Sequence, residues 1–335
     1  MKLGYCLIPS LGLALAAFAQ MSHLEGSKWE QVKGEGNPCK RHEHAFVEVD
    51  DQFIALGGRR IQAVDLYNPE TSTWSTGKQP PVELHHFQAL SHDGKVLVAG
   101  AFTGKYPRET PVSHLYFYDP SADAWSKGPE IPEERRRGSA GAFIKDDKLY
   151  LVCGLTDGHR SGWVPWFDEY DFSTKTWTRL PDAPRGRDHF QAVLIDEQLI
   201  LAGGRRSGEG GSVFAPVIKE VDVFDFKSNT WKTLDQPIPT PRAGTSSLAL
   251  GNESLVIGGE SARKEAHIEV DALDPKTGNW RSLPALPGGR HATQPILYKG
   301  RIYLQAGSVT RGGTETNTML RIPTRDLVAG NRTED

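Results

Sequence analysis

Leu66–Trp74 reads LYNPETSTW, and the same frame returns as FYDPSADAW (Phe117–Trp125), EYDFSTKTW (Glu169–Trp177), VFDFKSNTW (Val223–Trp231) and ALDPKTGNW (Ala272–Trp280). The tryptophans are 51, 52, 54 and 49 residues apart, and each follows an aromatic residue or leucine by seven positions. A period of about 50 residues marks a chain built from stacked repeats. A second landmark is a glycine that closes a short apolar run, at Gly58, Gly100, Gly154, Gly204, Gly259 and Gly307, which makes six units.

Each unit holds four short apolar or alternating runs between turn residues, such as HAFVEV, QFIALGG, AVDLY and TWSTG in the first. That pattern reads as a four-stranded antiparallel sheet. No helical period is visible beyond the first residues, and four strands per repeat single out a propeller among all-β folds. The sixth unit lacks a tryptophan-bearing fourth strand, while Trp29 stands alone in SKWEQV. The N-terminal segment is therefore expected to complete the last blade and leave no open edge. The reading is an all-β, six-bladed propeller with blades at about 41–78, 83–128, 136–181, 186–235, 241–284 and 289–325 plus 28–33, within a single domain of residues 20–335.

The paired glycines, the aromatic-Asp-Pro turn and the spaced tryptophan resemble the Kelch repeat over residues 28–325, with Ala99, Cys153 and Ala306 in place of the first glycine of units two, three and six. Exported six-bladed Kelch propellers include the bacterial sialic acid mutarotases, which this chain resembles in architecture and size. The galactose-oxidase type has seven blades and a copper site with a Cys–Tyr crosslink, for which neither Cys39 nor Cys153 is suitably placed.

At 335 residues with 38% hydrophobic and 24% charged content, the chain is globular rather than disordered. Its formal charge of -3 excludes the basic balance of a nucleic-acid binder. The apolar run Leu7–Ala19 is 13 residues long, too short for a membrane span. With Lys2 before it and Ala17-Phe18-Ala19 at its end it reads as a signal peptide (residues 1–19) cleaved after Ala19, which predicts a secreted or periplasmic protein. A spurious extension ahead of Met21 is the alternative. Cys39 and Cys153 fall in different repeats and are expected to be free thiols.

Strand order places the start of each first strand and the loop between second and third strands on one face. Counting back 17 residues from each landmark glycine gives Arg41, Glu83, Arg137, Arg187, Arg242 and Arg290, with His42, His44, His85, His86, His189 and His291 just after them. Arg59, Arg205 and Glu260 follow the landmark glycine, with Arg60 and Arg206 behind. Converging guanidiniums suit bidentate capture of carboxylate, sulfate or phosphate, although a strand-end arginine also serves to pair with a neighbouring carboxylate. Long loops Thr103–Ser113, Thr156–Trp166 and Ser207–Lys219 would wall the opening, and Trp163 and Trp166 offer faces to a sugar ring or pack into the core.

These features predict binding of an anionic ligand, an acidic saccharide or sugar acid, by Arg41, His44, Arg59, Arg137, Trp163, Trp166, Arg187, Arg205, Arg242, Arg290 and His291. An enzyme on the same site, a sugar-acid mutarotase or a uronate lyase, is a second reading. Glu83 and Glu260 would then face each other across the channel as bases, with His86 and His189 assisting. Propeller uronate lyases pair a His or Tyr base with an Arg, roles that His189, Tyr106 and Arg187 would fill. A third reading is a propeller that docks an acidic peptide. No metal site or cofactor is expected, because His42, His44, His85 and His86 are joined by no Cys or Asp that completes a ligand set.

Overall fold

In a computed structural model, which describes residues 28–214 and 216–327, the chain forms six four-stranded antiparallel sheets arranged as a propeller. The expected signal peptide and its cleavage site lie outside the described residues. No helix among the described residues is long and apolar enough to cross a membrane.

The motif that sets the period is the turn between the third and fourth strands of each blade, here strands C and D. Asp119 Oδ1 accepts the amides of Ser121 and Ala122, Asp171 those of Ser173 and Thr174, and Asp225 those of Lys227 and Ser228; Asn68 and Asp274 do the same in their blades. A short side chain that mimics the backbone acceptor is why Asx residues fix such turns. Two positions before each tryptophan the chain turns left-handed, at Ser72, Asp123, Lys175, Asn229 and Gly278. Each turn then aims its tryptophan at the neighbouring blade: the indoles of Trp125, Trp177 and Trp231 donate to the carbonyls of Lys78, Glu130 and Pro181.

Trp29 plays that part for the sixth blade. It is buried, and its indole donates to Pro284 O at 2.9 Å. The following strand, Glu30–Val32, pairs antiparallel with Met319–Pro323 in the register Glu30↔Arg321, Gln31↔Leu320, Val32↔Met319. The ring is thus closed by the N-terminal strand, as the missing sixth tryptophan implied.

Around the axis, one residue per blade at the start of strand A is left-handed: Glu43, His86, Ser139, His189, Gly244 and Ala292, with φ between 54° and 60°. Their main chains link blade to blade, His86 N to Glu43 O, Ser139 N to His86 O, Gly244 N to His189 O and Ala292 N to Gly244 O, while His189 N reaches Ser139 Oγ. Below them Gln88, Gln191 and Gln294, from alternate blades, bridge buried backbone groups across the channel. The three glutamines are thereby paired, as burial of an amide requires, while His44 Nδ1, His86 Nε2 and Thr245 Oγ1 on the same axis make no hydrogen bond among the described residues.

The glycine landmark is also a left-handed pair at the end of strand B: Gly57–Gly58, Cys153–Gly154, Gly203–Gly204, Gly258–Gly259 and Ala306–Gly307, the first residue at φ 54–76° and the second at 85–124°. In the second blade Gly100 has φ 60° and belongs to the first place, so Ala101, not Ala99, is the departure there. The register of that blade is therefore one residue off the sequence count, with a consequence for Glu83. Cys39 and Cys153 are free thiols, and burial pushes the Cys153 thiol up to about 12.

Candidate functional site

The arginines at the start of strand A do not form an open ring. Arg41 donates to Gly57 O, Arg137 to Cys153 O, Arg187 to Gly203 O and Arg242 to Gly258 O, each the carbonyl of the first left-handed residue of the pair. Each guanidinium also meets a carboxylate on strand C: Arg41–Asp65 2.8 Å, Arg137–Asp168 2.7 Å, Arg187–Asp222 2.5 Å and Arg242–Asp271 3.0 Å. All four are fully buried. The expectation that they capture an anion is corrected: their donors are used inside the blade, knitting strands A, B and C.

Those aspartates share one rung, opposite Ala55, Leu151, Leu201 and Val256 on strand B. In the second blade the same rung is Val98↔Tyr116, and with the one-residue register correction the arginine place is taken by buried Leu84 rather than Glu83. Cation and anion are lost together. In the sixth blade the rung is Leu304↔Leu320, yet Arg290 stays, donating to Thr318 Oγ1 at 2.8 Å with no carboxylate partner among the described residues. Desolvation holds Arg290 down at about 10.

A cavity of about 600 Å³ opens at the axial mouth, lined by Arg59, Arg60, Glu83, Lys105, Tyr106, His159, Arg205, Val213, Phe214 and Glu260 among others. It includes four of the expected site residues, Arg59, Glu83, Arg205 and Glu260. The loops after strand B build it. Those of blades two and three fold as small hairpins, Phe102–Thr103 with Thr110–Pro111 and Leu155–Asp157 with Ser161–Trp163, and the loop of blade four supplies Val213 and Phe214.

The arginines of the cavity are each held by a carboxylate. Arg59 Nη1 lies 2.8 Å from Glu109 Oε1, Arg205 Nη1 2.5 Å from Glu260 Oε1, and Arg60 Nη2 2.7 Å from Glu315 Oε2. Lys105 makes no ion pair among the described residues. Burial works to raise Glu260, but His291, Arg205 and the Gly312 amide outweigh it and hold the carboxyl at about 2. A carboxyl held that low is too weak a base to take a proton near neutral pH, and Glu260 is instead the ion-pair partner of Arg205. Glu83 accepts the Arg60 and Gly104 amides, so both carboxylates face one cavity but each is already engaged.

His86 and His189 lie deeper, lining a narrow axial channel of about 40 Å³ together with His44. Desolvation, reinforced by neighbouring positive groups, drives His86 and His189 well below the ordinary histidine range, and burial takes His44 to about 3. His291 binds Thr310 O at 2.8 Å beside Glu260. Trp163 and Trp166 do not reach the cavity. Trp166 carries the Arg135 guanidinium at 4.4 Å and Trp163 that of Arg206 at 5.0 Å, so both act as platforms for arginine rather than sugar.

Sequence reasoning missed Glu109, Asp188 and Phe214. Asp188 was legible, being the residue next to Arg187, whereas Glu109 and Phe214 lie in loops without repeat landmarks and only folding brings them to the mouth.

The KLHDC2/KLHL20/DRC7 Kelch-repeats domain matches residues 19–204 and 102–307. The chain belongs to the Kelch-repeat family. It is 32% identical over 311 residues to the Kelch-like protein terF of Aspergillus terreus, covering 86% of this chain and 66% of terF. It is also 25% identical over 233 residues to Alpha-scruin of Limulus polyphemus, covering 67% of this chain and 24% of that protein. This Kelch chain therefore spans less than two thirds of the length of these relatives. The solved structure of YjhT superposes with a TM-score of 0.71 at 15% identity, over 84% of this chain and 95% of that one, a likeness of fold.

Proposed function

We propose that this Kelch propeller binds a small anionic molecule bearing hydroxyl groups, an acidic saccharide or sugar acid, in the cavity at its axial mouth. The observation that carries the reading is Arg59, held at the cavity by the buried Glu109 behind it, with Lys105, which makes no ion pair among the described residues, and the buried Arg205–Glu260 pair on the same lining. Prepositioned guanidiniums lose little freedom on binding a carboxylate, which favours charge-assisted hydrogen bonds. Tyr106, Val213 and Phe214 provide apolar wall, and a few placed polar groups on apolar lining is the usual make-up of a small-molecule site.

The test is a thermal-shift screen with N-acetylneuraminate, glucuronate, galacturonate and their neutral counterparts. An acidic sugar that raises the melting temperature, while its neutral counterpart does not, supports the reading through mass action. No shift with any acid removes it. Proton NMR of the responding mixture then separates binding from turnover by a mutarotase or lyase.

A second reading, docking of a protein segment, is favoured by one observation: Tyr106 and Ile61, two of the few large apolar side chains left exposed, lie in loops beside the same opening. Competition between an acidic peptide and the responding sugar separates the two.

A further inference from the structure

Three histidines that no motif connects meet on the axis beneath the cavity. His86 and His189 are the left-handed residues of blades two and four, and His159 comes down from the hairpin of blade three. Each is 5% exposed, and one ring nitrogen from each lies within 4.8 Å of the other two. Their ring centroids form a near-equilateral triangle of 4.8, 4.8 and 4.9 Å.

The arrangement of the other atoms decides what the triangle is for. His159 Nδ1 is 2.9 Å from Glu109 Oε1 and His189 Nδ1 is 2.5 Å from Asp188 Oδ1. The carboxylate bonded at His189 Nδ1 favours the tautomer with the proton there, which leaves His189 Nε2 as a lone pair, whereas His159 Nδ1 meets Glu109 without an aligned hydrogen bond and its Nε2 is a lone pair or an N–H. Those two Nε2 atoms face each other at 3.1 Å. At that distance the two nitrogens share either one proton, in an N–H···N hydrogen bond, or a cation that both bind. Two nitrogens about 2.0–2.1 Å from a tetrahedral ion are themselves about 3.3 Å apart, close to the separation here. His86 Nε2, buried and 2.7 Å from Glu43 Oε2, makes no aligned hydrogen bond among the described residues, so this ring has a nitrogen uncommitted.

We propose that His86, His159 and His189 bind a divalent transition-metal cation of the zinc class. Three neutral imidazoles suit such ions, and three protein ligands with a fourth position left to water or a bound molecule is the pattern of an open site. Glu109 and Asp188 are the outer groups that fix ring orientation, as carboxylates behind metal-bound histidines do. Glu43, Glu109 and Asp188 also supply negative charge, partly offset by Arg59 and Arg205. His159 lines the cavity, so the fourth position faces that space and would accept an oxygen of a carboxylate-bearing ligand. The expectation of no metal site came from searching for local spacing, whereas these ligands are 73 and 30 residues apart on three blades.

The site stands apart from the sugar-acid reading, since metal binding is measured with no organic ligand present. Full-length protein, stripped with chelator and dialysed, is titrated with zinc by calorimetry and with cobalt(II) by visible absorption. The expected result is one equivalent bound at micromolar affinity or tighter, with intense tetrahedral cobalt bands. His159→Gln, at a loop tip, should weaken binding by 100-fold or more, and Glu109→Gln by about 10- to 100-fold. His267→Gln, a histidine paired with Glu269 elsewhere, should leave affinity unchanged. Absence of stoichiometric binding to the wild type overturns the proposal. So does binding that is undiminished in His159→Gln, a result that stands even if His86→Gln fails to fold.

Discussion

The strand-end arginines and the axial arginines carry the same charge, sit on the same face of the propeller and differ in what lies behind and before them. Arg41, Arg137, Arg187 and Arg242 point into their own blades, and each closes on a strand-end carbonyl and an aspartate. Arg59 has a buried carboxylate behind it and open space ahead, whereas Arg205 lies buried at the cavity wall beside Glu260, which lines the same space. The number of arginines at equivalent positions is therefore no guide to an anion site, since four of the five pair with an aspartate of their own blade. The sixth blade makes the point from the other side, because Leu320 on that rung leaves Arg290 with a hydroxyl instead of a carboxylate.

The largest expected effect separates those two kinds of strand-end arginine. Arg242→Met should cost about 3–5 kcal/mol in denaturant unfolding, because it leaves Asp271 as an uncompensated buried charge. Arg290→Met, which leaves no charge behind, should cost about 1–2 kcal/mol, the scale of lost hydrogen bonds. Equal losses would erase the distinction. At the axial mouth, Arg59→Ala should weaken binding of a responding sugar acid by about 1.5–3 kcal/mol, the size of a hydrogen bond to a charged group, as read by calorimetry.

Acidity probes the buried centre. His44 titrates at about 3 in the fold against 6.5 when exposed, so the unfolded chain binds a proton that the native state refuses across that window. Stability should be whole above pH 6.5 and fall as pH drops toward 3, by about 1.4 kcal/mol per pH unit for each such proton. His44→Gln should flatten the slope of stability against pH by about one proton, and an unchanged slope would show that His44 is not held neutral. The smallest effect is expected at the outer platform: Trp163→Ala should change sugar-acid affinity by less than about 0.5 kcal/mol, since the ring supports Arg206 and does not line the cavity.

The fold was legible because its cause is local and repeated. Asx turns, left-handed residues two before each tryptophan and paired glycines are short-range demands of the backbone, and even the closure by Trp29 followed from one absent tryptophan. The mouth of the propeller was partly legible for the same reason: Arg59, Arg205 and Glu260 sit one step past a repeat landmark. Glu83 shows how narrow that margin is, since a one-residue shift at Gly100 moved it out of the arginine place and to the cavity rim. Side-chain direction was not legible. The arginines at the start of strand A all turn inward, four of them onto an aspartate 24–35 positions later, as with Arg41–Asp65 and Arg187–Asp222. The histidine triangle was only partly legible, because His86 and His189 hold the same place in two repeats whereas His159 lies in a loop without a landmark.

The most direct measurement compares sugar-acid binding by calorimetry in wild type, in Arg59→Ala and in a double variant, Arg242→Met with Asp271→Leu, which removes a strand-end pair without leaving a buried charge. With N-acetylneuraminate or glucuronate as titrant, affinity should fall at least tenfold in Arg59→Ala and stay at the wild-type value in the double variant. Binding lost in the double variant and kept in Arg59→Ala would contradict the account, and so would a wild type that binds neither acid.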